Sequence, residues 1–172
     1  LGQSEVSQPL FYIQNSTENQ GAIHMEKRDV KVKGSLTLTL RKEDGSVEVS
    51  RKDNIIVAGG FDFICAQVAG TAVGIMDAIA VGTGTTTPVV SQTTLTAEVA
   101  RMAAAYAHTI GTQVFTLTAT FAAGVATAAI TEAGVFNSTA ASSGTMLDRV
   151  VFSVINKGPN DTLTATFQFT LS

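Results

Sequence analysis

Ile79-Ala-Val-Gly-Thr-Gly-Thr-Thr-Thr-Pro88, followed by Val89-Val-Ser-Gln-Thr-Thr-Leu-Thr-Ala-Glu-Val-Ala-Arg101, is the stretch around which the rest of the chain is read. A short apolar strand ends at the turn Gly82-Thr-Gly84, and a polar loop carries the chain sideways. Leu95, Val99 and Met102 then have the spacing of a brief helix before strands resume. Everything after this stretch reads as β structure.

Upstream, Val30, Val32, Leu36, Leu38 and Leu40 alternate with Lys31, Lys33, Thr37, Thr39 and Arg41. This is the pattern of a half-buried strand, with Gly34 expected to mark a bulge or bend. Lys42-Glu-Asp-Gly45 turns the chain into a second alternating run at Val47 and Val49, and Asn54-Ile-Ile-Val57 opens a third apolar segment. Phe61, Ile64, Cys65 and Val68 recur at helical spacing between Gly60 and Gly70, which predicts one short helix over 61–69 that caps an open end.

Downstream, residues 104–110 and 114–121 pair across Gly111-Thr112, with Phe115, Leu117, Ala119 and Phe121 on one face. Residues 126–136, 146–155 and a last alternating run from Leu163 to Leu171 complete the set. The expectation is an all-β, antiparallel β-sandwich, a jelly roll being the most economical connectivity, with one short helix and an extended N-terminal arm. Residues 30–172 are read as a single domain. Residues 1–29 are read as an N-terminal arm or a non-native extension, because His24-Met25 resembles a cloning junction. Within them Leu10, Phe11, Tyr12 and Ile13 form an apolar patch in polar surroundings, a candidate assembly contact.

Composition narrows the function classes. Hydrophobic residues make up 45% and charged ones 15%, too apolar a balance for a disordered chain. The net charge of -3 lacks the basic footprint of a nucleic-acid binder. Gly59, Gly60, Asp62, Gly70, Gly74 and Asp77 interrupt the apolar middle before it reaches the roughly 20 residues of a membrane span. The lone Cys65 has no disulfide partner and is expected to be buried.

Val81-Gly-Thr-Gly-Thr-Thr86 lacks the Lys and the helix N-terminus of a phosphate loop. His24 and His108 have no partners at metal-ligand spacing, and no serine has an elbow or a nearby base. No catalytic residue, cofactor or metal is therefore expected. Glu98, Arg101, Glu132 and Arg149 are instead read as candidate structural ion pairs that fix loops and strand register. Asn15, Asn137 and Asn160 begin N-glycosylation patterns, which occur by chance in so Thr-rich a chain.

Taken in order, Ile79 to Pro88, Thr94-Leu95, Glu98 to Arg101, Ile130-Thr-Glu-Ala-Gly-Val-Phe-Asn137, Gly144-Thr-Met-Leu-Asp-Arg149 and Asp161-Thr-Leu-Thr-Ala-Thr-Phe167 resemble a module of tailed-bacteriophage structural proteins. The resemblance spans about residues 30–172 and does not extend to the arm. It implies a non-enzymatic virion protein assembled in the host cytoplasm, most simply a capsid decoration (cement) protein. Such a protein would bridge subunits of the major capsid protein and form trimers or another homo-oligomer, without nucleic-acid or membrane partners. A tail-fibre or baseplate component is the alternative within the same resemblance. Outside it stand an extracellular filament subunit built by donor-strand addition and an enzyme or carbohydrate-binding module.

Overall fold

The structure, a computed structural model, describes residues 30–172. The arm and its patch, Leu10, Phe11, Tyr12 and Ile13, lie outside the described residues. Among the described residues nine strands and one helix follow in order: β1 (Val32–Arg41), β2 (Val47–Ile56), α1 (Ala58–Val68), β3 (Ala78–Gly82), β4 (Glu98–Ala103), β5 (Ala105–His108), β6 (Val114–Phe121), β7 (Ala128–Phe136), β8 (Met146–Lys157) and β9 (Thr162–Leu171). They form one nearly closed antiparallel sheet in the order β4-β3-β7-β8-β2-β1-β9-β6-β5. The all-β antiparallel expectation with a single short helix holds at this level. A jelly-roll or two-sheet sandwich connectivity is not established by this order.

The alternation in the sequence decides which faces turn inward. Leu36, Leu38 and Leu40 of β1, Leu117, Ala119 and Phe121 of β6, and Leu163, Ala165, Phe167 and Phe169 of β9 are buried. They meet Ile79 and Val81 of β3, Ile130, Ala133 and Val135 of β7, and Val150 and Ile155 of β8 in one core. Removing these side chains from water is the main favourable term of the fold. The opposite face carries threonines in register, where Thr118 and Thr166 hydroxyls lie 3.1 Å apart and those of Thr120 and Thr164 3.3 Å apart. Cross-strand pairs of this kind pin the register of flat sheets.

β2 joins the two halves of the sheet. Its residues from Val47 to Asn54 pair with β1, and Ile55 and Ile56 pair with Arg149 and Asp148 of β8. The third apolar segment expected at Asn54-Ile-Ile-Val57 is thus the continuation of β2 rather than a separate element. Gly34 makes no bulge, since its pairing with Asn54 and Phe169 runs without a register shift. Its missing side chain instead leaves room for the Asn54 amide, which a Cβ at this position would strike.

Two further expectations are corrected. Leu95, Val99 and Met102 do not share a helix, because Glu98–Ala103 is strand β4, paired with β3. Only Leu95 of the three is fully buried, in a small cluster with Val57, Ala78, Ala80, Phe136 and Met146. The helix does form, but rotated about its axis from the expected orientation. Gly60 and Phe63 face the protein, while Phe61, Cys65 and Val68 are exposed. The reason is a close approach: a Cβ on Gly60 would collide with the backbone of Leu147, so only glycine lets α1 lie against β8. Cys65 is therefore expected to react stoichiometrically with a thiol reagent in the native chain, as mass spectrometry of the labelled protein would show.

Candidate functional site

The Gly82-Thr-Gly84 turn and the loop that follows fold around one carboxylate. Glu132, completely buried in β7, lies opposite Gly82 of β3. Its Oε1 accepts the backbone N–H groups of Gly84 at 3.0 Å and Ala97 at 2.7 Å, and its Oε2 accepts that of Thr96 at 3.1 Å. Cβ atoms on Gly82 or Gly84 would overlap this carboxylate, so both glycines are there to let the backbone close on it.

Arg149 of β8, also completely buried, completes the clamp. Its Nε and Nη2 donate to Glu132 Oε2 at 2.9 and 2.6 Å. The remaining donors reach the loop: Nη1 donates to the Thr86 carbonyl at 2.9 Å and to Gln92 Oε1 at 3.0 Å, and Nη2 donates to Thr96 Oγ1 at 3.0 Å. The fork geometry of a guanidinium suits this many-sided contact, which a lysine cannot reproduce. One buried pair thereby holds both ends of the segment between β3 and β4.

Burial by itself pushes the Glu132 carboxyl up. The Ala97 N–H, the Arg149 guanidinium and the Thr96 N–H outweigh that and hold it below the ordinary glutamate value. The sign of the pH dependence follows. A depressed folded-state value contributes stability that is present above the unfolded value and lost as pH falls through the folded one. Acid titration of the urea midpoint below about pH 4 should fall more steeply in the native chain than in Glu132→Gln.

The second pair anchors a neighbouring loop. Arg101 binds Glu98 through Nε–Oε1 at 3.0 Å and Nη2–Oε2 at 2.7 Å, with its guanidinium carbon 3.7 Å above the Phe136 ring. Its Nη1 donates to the carbonyls of Ser138 and Ser143, closing the 137–144 loop onto β4. The structure thus brings the four charged residues singled out from sequence together as two pairs, 132 with 149 and 98 with 101.

Asp148 stands out in the sequence as a carboxylate beside Arg149, but its burial and its partners Asn54 and Val135 were not legible there. Asp148, adjacent to Arg149 but pointing to the other face of β8, is completely buried. It accepts the Val135 N–H at 3.0 Å through Oδ1 and contacts the Asn54 amide through Oδ2. Burial raises this carboxyl from its ordinary range to about 7, against the opposing pull of the Asn54 and Val135 hydrogen bonds. Among the described residues Asn54 Oδ1 has no hydrogen-bond partner. The available signal was the adjacent pair Asp148-Arg149, which interrupts the apolar run from Met146 to Val151.

No group of three or more His, Cys, Asp or Glu side chains able to hold a metal occurs among the described residues. His108 lies exposed in β5, with Nδ1 2.7 Å from the Val114 carbonyl. What the charged residues do here is tie loops to strands, a class of work belonging to architecture. Comparison of the chain with protein-family models, with curated proteins and with solved structures finds no match.

Proposed function

We propose that the chain is a non-enzymatic structural protein of a tailed-phage virion, a capsid decoration protein that works as a homotrimer and bridges capsid subunits. The motif order over residues 30–172 supports the reading, and one structural observation carries it. At one end of the molecule a free strand edge lies beside uncovered apolar surface. All four residues of β5 are exposed, and among the described residues β5 pairs only with β6. Ile75 and Tyr106, 65% and 62% exposed, stand in the wall of an adjacent cleft. The segments that frame it carry Val68, Val73 and Ile110, at 85–94% exposure. An unpaired edge next to apolar surface is a template for another chain, and proteins that keep one use it for assembly.

The same free edge supports a second reading, a filament subunit that accepts a strand from its neighbour. Electron microscopy of the purified full chain separates the two. Discrete closed oligomers of uniform size support the decoration protein, open polymers of variable length support the filament subunit, and isolated monomers alone contradict both.

A further inference from the structure

A polar concavity lies on the outer face of the sheet, turned away from the core. About 550 Å³ in volume, it is lined by Ser35 to Thr37 of β1, Arg51 to Asp53 of β2, and Thr166 and Gln168 of β9. Strand register explains why these side chains converge. Leu36 and Leu38 are buried in the core, so Ser35 and Thr37, which alternate with them, point outward. Ser35 stands opposite Asp53 and Gln168, and Thr37 stands opposite Arg51 and Thr166. On β6, Thr116 and Thr118 continue the same two rows. Two polar rows therefore cross four strands, with roughly 7 Å between the rows and about 4.8 Å between neighbouring strands.

This face holds hydrogen-bonding capacity that the chain itself does not use. The Thr166 hydroxyl is shared with Thr118. Among the described residues, Ser35, Thr37, Gln168, Arg51 and Asp53 make no side-chain hydrogen bond within the chain. Arg51 also has no ion pair there, although Asp53 stands two positions along on the same side of β2. The charge is opposite in sign to that of the whole molecule. Lys33 and Arg41, exposed at the two ends of the outward row of β1, join Arg51 against Asp53, whereas the chain as a whole carries -3.

We infer that this groove binds an anionic, hydroxyl-rich glycan, a polysaccharide that contains uronic acid. The inference goes beyond the assembly reading and does not rest on it, because Phe115 and Leu117, which wall the apolar cleft, lie on the other face of the sheet. The Arg51 guanidinium is a planar fork for a carboxylate. Ser35, Thr37 and Gln168 place donors and acceptors side by side, and Asp53 accepts from hydroxyls. This mixture suits neighbouring hydroxyl groups better than a bare anion.

The direction of the aromatic rings separates this ligand from its competitors. Phe115, Phe167 and Phe169 all pack toward the core, which leaves the outer face of β6 and β9 without a ring. A single-stranded nucleic acid relies on such rings as stacking platforms. A neutral sugar here would have only hydrogen bonds that compete with water. A uronate adds the ion pair to Arg51. From Lys33 to Arg41 the outward row of β1 is roughly 27 Å long, so several linked sugars can lie along it with a cation near each end.

The test titrates the full chain with a short oligogalacturonate by calorimetry, beside dextran as a neutral polymer and single-stranded DNA as a phosphate polymer. The exposed residues of the groove are changed one at a time, Arg51→Gln and Gln168→Ala. Lys42→Gln, in the turn between β1 and β2, makes the same change of charge outside the groove. The expected result is binding of oligogalacturonate that weakens as salt is raised, with an affinity about tenfold or more lower in Arg51→Gln and reduced in Gln168→Ala. Lys42→Gln should bind as the native chain does, and dextran should not bind. Absence of binding at millimolar oligogalacturonate would overturn the inference, as would an equal loss in Lys42→Gln, which would mean attraction by charge alone. Dextran bound as tightly would overturn the role of the carboxylate. DNA bound as tightly, with the same dependence on Arg51, would make the groove a general polyanion site and overturn the glycan assignment.

Discussion

A chain carrying Glu132→Gln should lose about 3–5 kcal/mol of folding stability, read as a lowered urea midpoint with little change in slope. The amide keeps one acceptor for the N–H groups of Gly84 and Ala97. Its NH₂ then faces the Arg149 guanidinium and the Thr96 N–H, donors that previously met Oε2. A buried cation without its counter-charge and opposed donors are the costly half of such a network. Arg149→Met should cost less, because three backbone N–H groups still satisfy the Glu132 carboxylate.

The double replacement Glu132→Leu with Arg149→Met separates this clamp from an ordinary buried ion pair. Exchanging both members of a simple pair for apolar residues is often neutral or stabilising. Here the backbone N–H groups of Gly84, Thr96 and Ala97 and the Thr86 carbonyl would be left without partners. The double variant should therefore remain destabilised by about 2 kcal/mol or more, with faster hydrogen exchange confined to residues 83–97. Full recovery of stability would show that the loop does not depend on the pair.

The opposite sign is expected at Asp148. Its folded-state value is raised from 3.8 to about 7, so the native state binds more protons than the unfolded chain between those limits. Stability from this group is fully present below the unfolded value and declines as pH rises through about 7. At pH 8 the buried carboxylate is charged, a penalty of up to about 4 kcal/mol at 1.36 kcal/mol per unit.

Asp148→Asn removes that penalty while keeping the shape. Its carbonyl accepts the Val135 N–H, and once the Asn54 amide turns over its NH₂ donates to Asn54 Oδ1, which has no hydrogen-bond partner among the described residues. The variant should be more stable than the native chain at pH 8 and close to it at pH 4. Stability measured from pH 4 to 8 tests this, and parallel curves for the two chains would contradict the assignment.

These two carboxylates also show how far the residues could be read before the fold was known. Glu132 stands out in the apolar run of β7, and a buried carboxylate calls for a cation, so its pairing type was legible. That three backbone N–H groups would close on it was not, because those donors carry no side-chain signature. The alternating strands β1, β6 and β9 were readable since one face of each is buried and the period is strict.

β2 was split in the reading because Arg51-Lys-Asp-Asn54 looks like a break. In the fold the strand simply changes partners there, from β1 to β8. The 95–102 segment imitated a helix because three apolar residues happened to match its spacing, while pairing with β3 decided the outcome. Cys65 misled for a related reason. With Gly60 pressed against Leu147, the buried face of α1 is shifted from the one that side-chain hydrophobicity alone would select.

The measurement that bears most directly on the proposed role is the mass of the full chain in solution, by light scattering over a wide range of concentrations. The account predicts a discrete species of three times the 17.8 kDa of one chain, stable on dilution into the micromolar range. A single-chain mass at every concentration would contradict the assignment of this protein to assembly.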